Sequence, residues 1–497
     1  MNKQELITKN EDLERTILQL KDQIKQLQRM IFGPKSERRK TVASAENQVT
    51  LFDHPNDKPT EVQQAVPIKL KTPSKSKQKP KSIFETLTHL EEQKIDFSPE
   101  LPLEDDYLYI GKKEVKRLAY KPGTYFIQTQ VIHSYKHKVE GHIISGQAPL
   151  HPIPKCEATI DLLQHIAVSK FVDHLPEYRQ LKIMARSGVK VAPSTMNGWM
   201  HKIGELLNPI AAHLEKQILN STYLMIDEST IKVMEGKKNR THTGYMWIIY
   251  NPLKKLVRFI YHPGRQHEIP AKLLESFKGT FHSDGYKAYH TLAEIRPDLI
   301  HLCCNAHSRR KFENALTNDT QKANFALDIY RDLYKIERDC RDYRKVHPEL
   351  DDHLYYNYRY KLRKQLAIPI LDKFKDWLEE QSQTLTPSSP IANAVSYTIN
   401  RWKELRNYIL DGKYEIDNNL IENCIRPLAL GRKNYLFAGT HQSAQNIANF
   451  YTVFETCRHL GIQPGTYLNW YLQNIHTIKV NEIHTLSPNS FLEKFSD

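Results

Sequence analysis

Cysteine is scarce in this chain, and its arrangement excludes one class of fold. Six cysteines are spread over 497 residues, and no two of them form a CxxC pair. A small domain held together by disulfide bonds is therefore excluded, and the low cysteine content indicates a reducing compartment. No apolar stretch reaches the length of a membrane span, and the segment MNKQELITKNEDLERTILQL lacks the apolar core of a secretory signal. These absences predict a cytoplasmic protein without a membrane segment.

The chain has a surplus of positive charge. It contains 71 Lys and Arg against 57 Asp and Glu, which gives a formal net charge of +14. A surplus of this size favours a polyanionic partner, and nucleic acid is a better match than a membrane surface. Hydrophobic residues make up 40% and aromatic residues 10% of the chain, which is ordinary for a folded protein. The length predicts several domains rather than a single core.

The first segment, residues 1–32, carries a heptad repeat. Leucine recurs every seven residues at one position, and asparagine or isoleucine occupies the interleaved position. These residues are Leu6, Leu13, Leu20 and Leu27, together with Asn10, Ile17 and Ile24. Isoleucine at a and leucine at d favour a parallel two-stranded coiled coil, in which one asparagine at a sets the register. We therefore predict a dimer or larger homo-oligomer; the alternative is a single amphipathic helix docked on the body of the protein.

Three segments with different compositions follow. Residues 33–82 have little apolar periodicity and end in KLKTPSKSKQKPKS, where lysine alternates with proline, serine and glutamine; this composition predicts a basic, flexible linker. Residues 83–155 contain short β-type runs around a KPGT turn, so we predict a small β-rich module there. Residues 156–220 become helical and are predicted to form a DNA-binding region.

The helical region has the pattern of a helix-turn-helix. Pro176 stands near the start of one helix, Gly188 is placed to end it, and the next helix opens with PSTMNGWMHKIGELL. This geometry lays a second helix in the major groove of DNA. The short polar and basic residues near its start are Ser194, Thr195, Asn197 and Lys202. We predict that they contact bases and phosphates; the alternative is a helical hairpin that binds nothing.

Two strand-like runs in residues 221–312 end in an aspartate. TYLMIDEST contains Asp227, a hairpin of GYMWIIYN and KKLVRFIYH follows, and GTFHSDGYKAY contains Asp284. Side chains at the ends of core strands converge in open α/β sheets, so the two acids are expected to lie close together. A further strand leads into the basic helix of CNAHSRRKF, where Arg309 and Arg310 are candidate DNA contacts.

The rest of the chain divides into a helical insertion, a second part of the core and a tail. Residues 313–413 are charged and helical, residues 414–470 resume the core, and residues 471–497 are predicted to be a C-terminal tail. In YEIDNNLIENCIRPLALGRKNYLFAGT, helical spacing places Asn418, Glu422 and Arg426 on one stripe.

The same segment predicts how its helix is bounded and buried. Ile416, Leu420, Cys424 and Leu428 form a neighbouring apolar stripe. Asp417 is a plausible N-cap, and Pro427 predicts that the helix ends or kinks there. Glu422 would then face something other than the core. A solvated, salt-bridged helix face is the alternative.

Three carboxylates gathered at one edge of a sheet would repel one another without a cation. Two Mg²⁺ ions about 4 Å apart would turn them into a phosphoryl-transfer site. Carboxylate oxygens suit Mg²⁺ or Mn²⁺ rather than zinc. The nearby cations Arg426, Arg432 and Lys433 are predicted to hold DNA phosphates. Spacing alone does not decide between Asp227 and Glu228, which alternate to opposite faces of the strand.

Several motifs together resemble the insertion sequence 66 family of transposases. They are MIFGPKSERR, IDESTIKV, HSDGYKAY, CNAHSRRKF and DNNLIENCIRPLALGRKNYLFAG, and the last is the most specific. The resemblance covers most of the chain. It implies a DDE catalytic triad on a ribonuclease H-like fold, and carried over to this chain the triad is Asp227, Asp284 and Glu422. It further implies double-stranded DNA as partner, at element ends and target, accessory element-encoded proteins and a bacterial, nucleoid-associated protein.

The chain departs from this family at two places. Relatives usually carry a four-cysteine zinc module ahead of the helix-turn-helix, whereas residues 107–147 hold no cysteine. Three histidines there, His133, His137 and His142, do not replace it, so we expect no zinc. Asn423 stands where the family commonly has arginine, which removes one phosphate contact.

We therefore expect a multidomain α+β protein. Its parts are a coiled-coil helix, a small β-rich module, a helix-turn-helix region and a ribonuclease H-like α/β catalytic domain with a helical insertion. The expected function is transposition: binding of terminal inverted repeats, then metal-dependent 3′-end cleavage and strand transfer. The alternatives are a nuclease on the same fold that only hydrolyses, and a DNA-binding protein whose catalytic domain has decayed.

Overall fold

A computed structural model describes residues 123–131, 133–136, 143–145, 150–235, 240–385 and 387–495. The predicted coiled coil (1–32), the basic linker (33–82) and much of the β-rich module (83–155) lie outside the described residues. Oligomerisation through the heptad leucines therefore stays a prediction. Within the β-rich module, β1 (Ser134–Lys136) pairs with β2 (Ile143–Ser145) as an antiparallel ladder. No helix in the described ranges is both long enough and apolar enough to cross a membrane.

A five-stranded mixed sheet forms the centre of the chain. Its strands are β3 (Tyr223–Glu235), β4 (Arg240–Asn251), β5 (Leu256–His262), β6 (Gly279–Ser283) and β7 (Leu299–Cys303). They lie in the order β5-β4-β3-β6-β7, with β3, β4 and β5 antiparallel and β6 and β7 parallel to β3. The predicted hairpin of β4 and β5 is confirmed. In its turn, the Asn251 side-chain oxygen accepts hydrogen bonds from two backbone N–H groups.

Helices precede, interrupt and follow the sheet. Ahead of it lie α1 (Ile160–Phe171), α2 (Glu177–Arg186), α3 (Pro193–Leu206) and α4 (Asn208–Leu219). Between and after its strands come α5 (Glu268–Leu273), α6 (Lys287–Ile295) and α7 (Asn305–Ala315).

The insertion and the C-terminal part are helical. The insertion contains α8 (Thr320–Val346), α9 (Asp352–Leu362), a π-helical turn (Arg363–Ala367), α10 (Ile368–Thr384), α11 (Pro390–Ile399), α12 (Trp402–Arg406) and a 3₁₀ turn (Asn407–Leu410). The chain continues with α13 (Asn419–Tyr435), α14 (His441–Leu460), α15 (Pro464–Asn474), a 3₁₀ segment (Val480–Leu486) and α16 (Pro488–Phe495).

Helix α14 covers the edge of the sheet at β5. An exposed edge strand offers unpaired N–H groups, which proteins cover or block. Here the Thr452 and Thr456 hydroxyls accept hydrogen bonds from the backbone N–H of Phe259 and Val257, at 2.9 and 3.2 Å. The two threonines are one helical turn apart, and residues 257 and 259 are two positions apart on the strand. The distance between the two hydroxyls therefore matches the distance between the two N–H groups. Helix α14 is therefore buried along most of its length.

Helix α13 corrects three expectations from the sequence. It runs through Pro427 to Tyr435, so the predicted end of the helix at Pro427 is wrong. Pro427 provides no N–H for the carbonyl of Asn423, but the Arg458 guanidinium donates to that oxygen at 3.5 Å and compensates for the loss.

The boundary and the apolar face of α13 also differ from the prediction. Asn418, not Asp417, is the N-cap residue. The Asp417 carboxylate nevertheless accepts from the backbone N–H of Asn419, the first residue of the helix, at 3.1 Å, and from the Tyr334 hydroxyl at 2.8 Å. Leu420 is 37% exposed, and Ile416, although buried, precedes the helix. The buried face consists of Ile421, Cys424, Leu428 and Gly431.

Two buried arginines of the insertion hold the segment that leads into α13. Arg363 donates through Nε and Nη2 to the Glu337 carboxylate, and through Nη1 and Nη2 to the carbonyls of residues 408, 411 and 414. Arg359 pairs with Glu337 and makes a two-pronged contact with Glu415 at 2.8 and 2.7 Å. Burial alone would raise the pKa of Glu337, but the two guanidinium groups outweigh it and lower that pKa to about 2.

Replacing Arg363 with leucine should destabilise the fold. The substitution leaves part of a buried carboxylate and three buried carbonyls without a donor, and breaking a buried pair from one side costs about 3–5 kcal/mol. Denaturant unfolding of the full-length chain measures the loss. The matched control is Arg331→Leu, since Arg331 forms an exposed pair with Asp328 and should cost no more than about 1 kcal/mol. Equal, small losses in both variants would contradict this role of Arg363.

Candidate active site

The pairing of β3 with β6 sets two of the predicted acids side by side. The strands are parallel, and Met225 on β3 is the partner of His282 on β6. Two residues further along each strand, the same register brings Asp227 opposite Asp284. Neighbouring strands lie about 4.8 Å apart, so adjacent side chains on one face come close together. Asp284 directly follows β6, as the sequence predicts, whereas β3 continues past Asp227 to Glu235, so the predicted end of the first strand at Asp227 is wrong.

Contacts at both ends of α13 position Glu422, the third predicted acid. At its start, the backbone N–H of Asn418 donates to the Cys304 thiol, just after β7. At its end, Arg432 donates to the Ser229 and Thr230 hydroxyls of β3 at 3.0 Å each. Beyond the helix, Ala438 exchanges backbone hydrogen bonds with β3. Glu422, in the first turn of α13, is thereby held near the carboxyl ends of the central strands.

The electrostatics link the three carboxylates. The pKa of Asp227 is raised well above its usual value, first by burial and then by the negative charges of Asp284, Glu228 and Glu422. A raised pKa means that the ionised acid costs free energy where it stands, and a nearby cation would reverse that cost. The site thus has the charge balance expected of a cation site.

The carboxylates are too far apart to surround one ion by themselves. In the described part of the chain, one group alone has three ligating atoms within 4.8 Å of one another, and it does not include them. Two ions about 4 Å apart are shared between more widely spaced ligands. Carboxylate oxygens are hard donors of the kind that Mg²⁺ or Mn²⁺ binds.

The neighbouring acid Glu228 is occupied by other partners. Arg265 donates to one of its oxygens from Nε at 2.7 Å, and the Tyr289 hydroxyl donates to the other at 2.8 Å. Asp227 accepts a backbone N–H at one oxygen, as does Asp284. Within the described ranges, the second oxygen of each aspartate accepts no protein hydrogen bond. Spacing leaves the choice between Asp227 and Glu228 open. The hydrogen bonds of the two residues favour Asp227, because it keeps an oxygen free for a ligand.

His307 stands beside the site, and sequence reasoning missed it. Its Nε2 lies 3.9 Å from Glu422 Oε1, and its Nδ1 is buried without a hydrogen-bond partner among the described residues. His307 is in the first turn of α7, which starts immediately after β7. The signal available in the sequence was its place in CNAHSRRKF, directly after a buried strand that neighbours the Asp284 strand.

Some of the predicted phosphate-binding residues are exposed, and the others already contact groups of the protein. Arg426, Lys433 and Arg310 are exposed, and Arg426 lines an open groove of about 350 Å³. Arg309 is paired with Glu313 at 2.8 Å. Arg432 is partly buried and holds α13 against β3, so its first role is structural. DNA contacts by all five stay predictions.

The predicted helix-turn-helix residues lie on the outer face of α3. The helix start after Pro176 and the stop at Gly188, which has a φ of +78°, are as predicted. Ser194, Asn197 and Lys202 are exposed and Thr195 is partly buried. The opposite face is buried.

The buried face of α3 packs closely on α14. Asn449 donates to the carbonyl of Gly204 at 3.0 Å, and Asn446 donates to the carbonyl of His201 at 3.1 Å. A Cβ at Gly204 would lie 2.5 Å from the Asn446 side chain, so only glycine permits this approach. Helix α3 is therefore fixed to the body of the protein with its polar face outward.

Acids on or directly after two adjacent strands of a mixed sheet and a third acid on a later helix are the arrangement expected of DNA-processing enzymes with a carboxylate site, and comparisons with known proteins identify the family. Residues 155–446 match the model of the transposase IS66 family, and residues 19–95 match a model described as transposase C of IS166 homeodomain. The first match spans more than half of the chain. The chain belongs to the IS66 family of transposases, which indicates a role in DNA transposition.

Three proteins of Sinorhizobium fredii are similar to this chain. Uncharacterized protein y4qI is 27% identical over 489 residues, covering 94% of this chain and 88% of the relative. Uncharacterized protein y4jD is 28% identical, covering 70% of this chain and 69% of the relative. Uncharacterized protein y4hP is 27% identical, with 69% and 64% covered.

Replacing Asp227 with asparagine should stabilise the metal-free protein. The pKa of Asp227 in the folded protein is raised above the value of 3.8 that applies to the unfolded chain. Ionisation of this acid therefore lowers the stability of the folded protein as the pH rises above 3.8. This cost disappears as the pH falls toward 4. At pH 7.5 in chelator, the variant should gain at least about 1 kcal/mol, the equivalent of one pKa unit. Denaturant unfolding across pH 4–8 measures the difference.

The control is Asp298→Asn, since Asp298 is an exposed acid whose pKa is lowered by hydrogen bonding to Arg296; it should show no gain. Adding Mg²⁺ should stabilise the wild type more than Asp227→Asn, because a ligand stabilises the state that binds it. An Asp227→Asn variant less stable than the wild type in chelator at neutral pH would refute the electrostatic assignment.

Proposed function

We propose that this chain is a divalent-metal-dependent transposase that cleaves the 3′ ends of a mobile element and transfers them to target DNA. The observation that carries the proposal is the register of β3 and β6, which aligns Asp227 with Asp284 while Glu422 adds to the same electrostatic field. The strand order, with three antiparallel strands followed by two parallel ones, supports a ribonuclease H-like fold.

Asp227, Asp284 and Glu422 would hold two Mg²⁺ or Mn²⁺ ions. Bound there, the ions would lower the pKa of the attacking water or 3′-hydroxyl and neutralise the leaving oxygen. The three carboxylates fix the position of the scissile phosphate. His307 Nε2 lies 3.9 Å from Glu422 Oε1, beside that carboxylate but beyond hydrogen-bond distance.

The exposed cations would bind the DNA around the acids. Arg426 lies one turn after Glu422 on α13, and Lys433 lies further along the same helix. Arg310 lies on α7, the helix that carries His307. Contacts of this kind place the backbone without reading its sequence. We assign sequence recognition of the terminal repeats to the outer face of α3, and dimerisation to residues 1–32, with accessory proteins of the element as further partners.

Removing any one acid should abolish end cleavage but not end binding. Asp227→Asn, Asp284→Asn and Glu422→Gln each remove a metal ligand, and we expect the rate of 3′-end cleavage to fall by about 10³-fold or more. Labelled element ends incubated with the full-length protein and Mg²⁺ measure cleavage, and a gel-shift assay with the same ends measures binding. Pre-cleaved ends with a target plasmid separate strand transfer from simple hydrolysis.

Glu228→Gln is the matched control for the acid variants. Glutamine keeps one oxygen that can accept from Arg265, and its NH2 group can donate to the Tyr289 hydroxyl oxygen. This variant of the adjacent acid should therefore keep cleavage within about tenfold of the wild type. Unchanged cleavage in Asp227→Asn, or equal losses in Asp227→Asn and Glu228→Gln, would be evidence against the assignment. Cleavage without any strand transfer would indicate a nuclease.

Two substitutions on α3 should weaken DNA binding in different ways. Lys202→Ala should reduce the slope of log affinity against log salt concentration by about 1, because one phosphate contact is lost. Asn197→Ala should leave the slope unchanged and reduce discrimination between terminal repeat and random DNA by about 1–3 kcal/mol. Fluorescence anisotropy at several salt concentrations measures both.

Lys345→Ala, which removes an exposed lysine of the insertion, is the control for overall charge. It should leave both the salt slope and the discrimination at their wild-type values. If Lys202→Ala and Asn197→Ala behave like this control, α3 is an ordinary helix of a hairpin and not the recognition helix.

A further inference from the structure

Three side chains outside the proposed catalytic site converge as a set of metal ligands. His290 on α6, His301 on β7 and Glu404 on α12 each bring one ligating atom to within 4.8 Å of the other two. No other group of three or more in the described ranges meets this criterion. The three residues come from separate elements, so tertiary folding, not local spacing, brings them together.

Hydrogen bonds fix which nitrogen of His301 is free. The Ser283 hydroxyl donates its one proton to the carbonyl of Asp284 at 2.9 Å. In that arrangement it accepts from His301, whose Nε2 lies 2.8 Å away. The tautomer that matches this arrangement carries the ring proton on Nε2 and an unshared electron pair on Nδ1.

The free nitrogen of His301 has no partner in the protein. The residue is only 4% exposed, and its Nδ1 is buried without a hydrogen-bond partner among the described residues. The ring stacks on Phe281 at 4.6 Å, which holds its orientation. Burial, followed by nearby cationic groups, lowers the pKa of His301 to about 3. The imidazole is therefore neutral at physiological pH, as a metal ligand must be.

An ion-free explanation accounts for only part of this cluster. The His290 Nδ1 lies 3.1 Å from Glu404 Oε1, and its Nε2 lies 3.3 Å from Glu294 Oε1. A protonated His290 bridging two glutamates would satisfy these contacts. It would leave the buried lone pair of His301 without a partner, which costs free energy.

We propose that His290, His301 and Glu404 bind a divalent transition-metal ion of the zinc class. Two imidazoles and one carboxylate suit Zn²⁺, with water as a fourth ligand, and do not suit Mg²⁺. The second nitrogen of each histidine already faces an acceptor, Glu294 for His290 and Ser283 for His301. Such outer hydrogen bonds orient metal-bound histidines. This proposal departs from our expectation of no zinc, which rested on the missing cysteines of residues 107–147 and did not consider this cluster.

The ion would also position the backbone beside Asp284. His301 is joined to the carbonyl of Asp284 through Ser283, and Arg401, just before α12, donates to the carbonyl of Gly285 at 2.8 Å. Joining β7, α6 and α12 through one ion would hold this turn in place. This consequence rests on the catalytic role proposed for Asp284, whereas binding of the ion does not.

Metal analysis of the full-length protein tests the site. Chelator-treated protein is dialysed against Zn²⁺ in excess Mg²⁺, which occupies the catalytic acids, and bound zinc is measured by mass spectrometry. We expect one zinc per chain, and with Co²⁺ the visible absorption of a tetrahedral site. His290→Ala and Glu404→Gln should each weaken binding about 100-fold or more, and Glu294→Gln about 10-fold.

Two controls separate the outcomes. His353→Ala removes an exposed histidine of the insertion and should leave zinc binding unchanged. Asp284→Asn should also leave it unchanged, so the fate of the catalytic assignment does not affect the result. Because His290 and Glu404 are not buried, their variants should fold, which circular dichroism checks. Absence of bound zinc in the folded wild type, or zinc that survives both His290→Ala and Glu404→Gln, would overturn the proposal.

Discussion

Two buried guanidinium groups, those of Arg359 and Arg363, determine where the last third of the chain lies. They belong to the helical insertion, and together with Glu337 they form a fully buried ionic cluster. A cluster of this kind adds little net stability over an apolar core of the same shape, but it tolerates few alternative arrangements because each donor needs its acceptor. Every N–H of Arg363 is directed at an oxygen of Glu337 or of segment 408–415. The insertion therefore fixes the backbone that precedes α13.

The same segment contacts the beginnings of the two central strands. The backbone N–H of Glu415 donates to the Tyr223 hydroxyl at the start of β3. The Tyr414 hydroxyl lies 2.7 Å from the Thr280 hydroxyl on β6. Glu422 follows shortly afterwards, so its position depends on a chain of contacts that runs from the insertion to the strands that carry the two aspartates. A residue almost two hundred positions from Asp227 in sequence is in this way tied to the same sheet.

The sequence predicted the parts of the site that depend on local pattern. Asp284 was found because its strand is an apolar run whose end is marked by polar residues, whereas Asp227 was chosen over Glu228 on the family resemblance and lies inside its strand. Partners that are distant in sequence could not be found in this way. The continuation of α13 past Pro427 depends on Arg458 of another helix, and no pattern around Pro427 records that contact. The position of His307 beside Glu422 likewise depends on tertiary folding, since the two residues are far apart in sequence. The coiled coil, the linker and the accessory partners stay predictions.

The net charge of the chain overstates the number of cations available to DNA. Arg359 and Arg363 are buried inside the insertion, and Arg432 donates hydrogen bonds to hydroxyls of β3. What remains on α13 for a phosphate backbone is Arg426 and Lys433, both exposed and both on the helix that carries the third acid. A buried guanidinium stabilises one backbone arrangement, whereas an exposed one attracts any polyanion and is screened by salt. The positively charged side chains therefore have two roles in this fold: buried ones stabilise one backbone arrangement, and exposed ones are available to a polyanion. Only the exposed side chains support the inference of DNA binding.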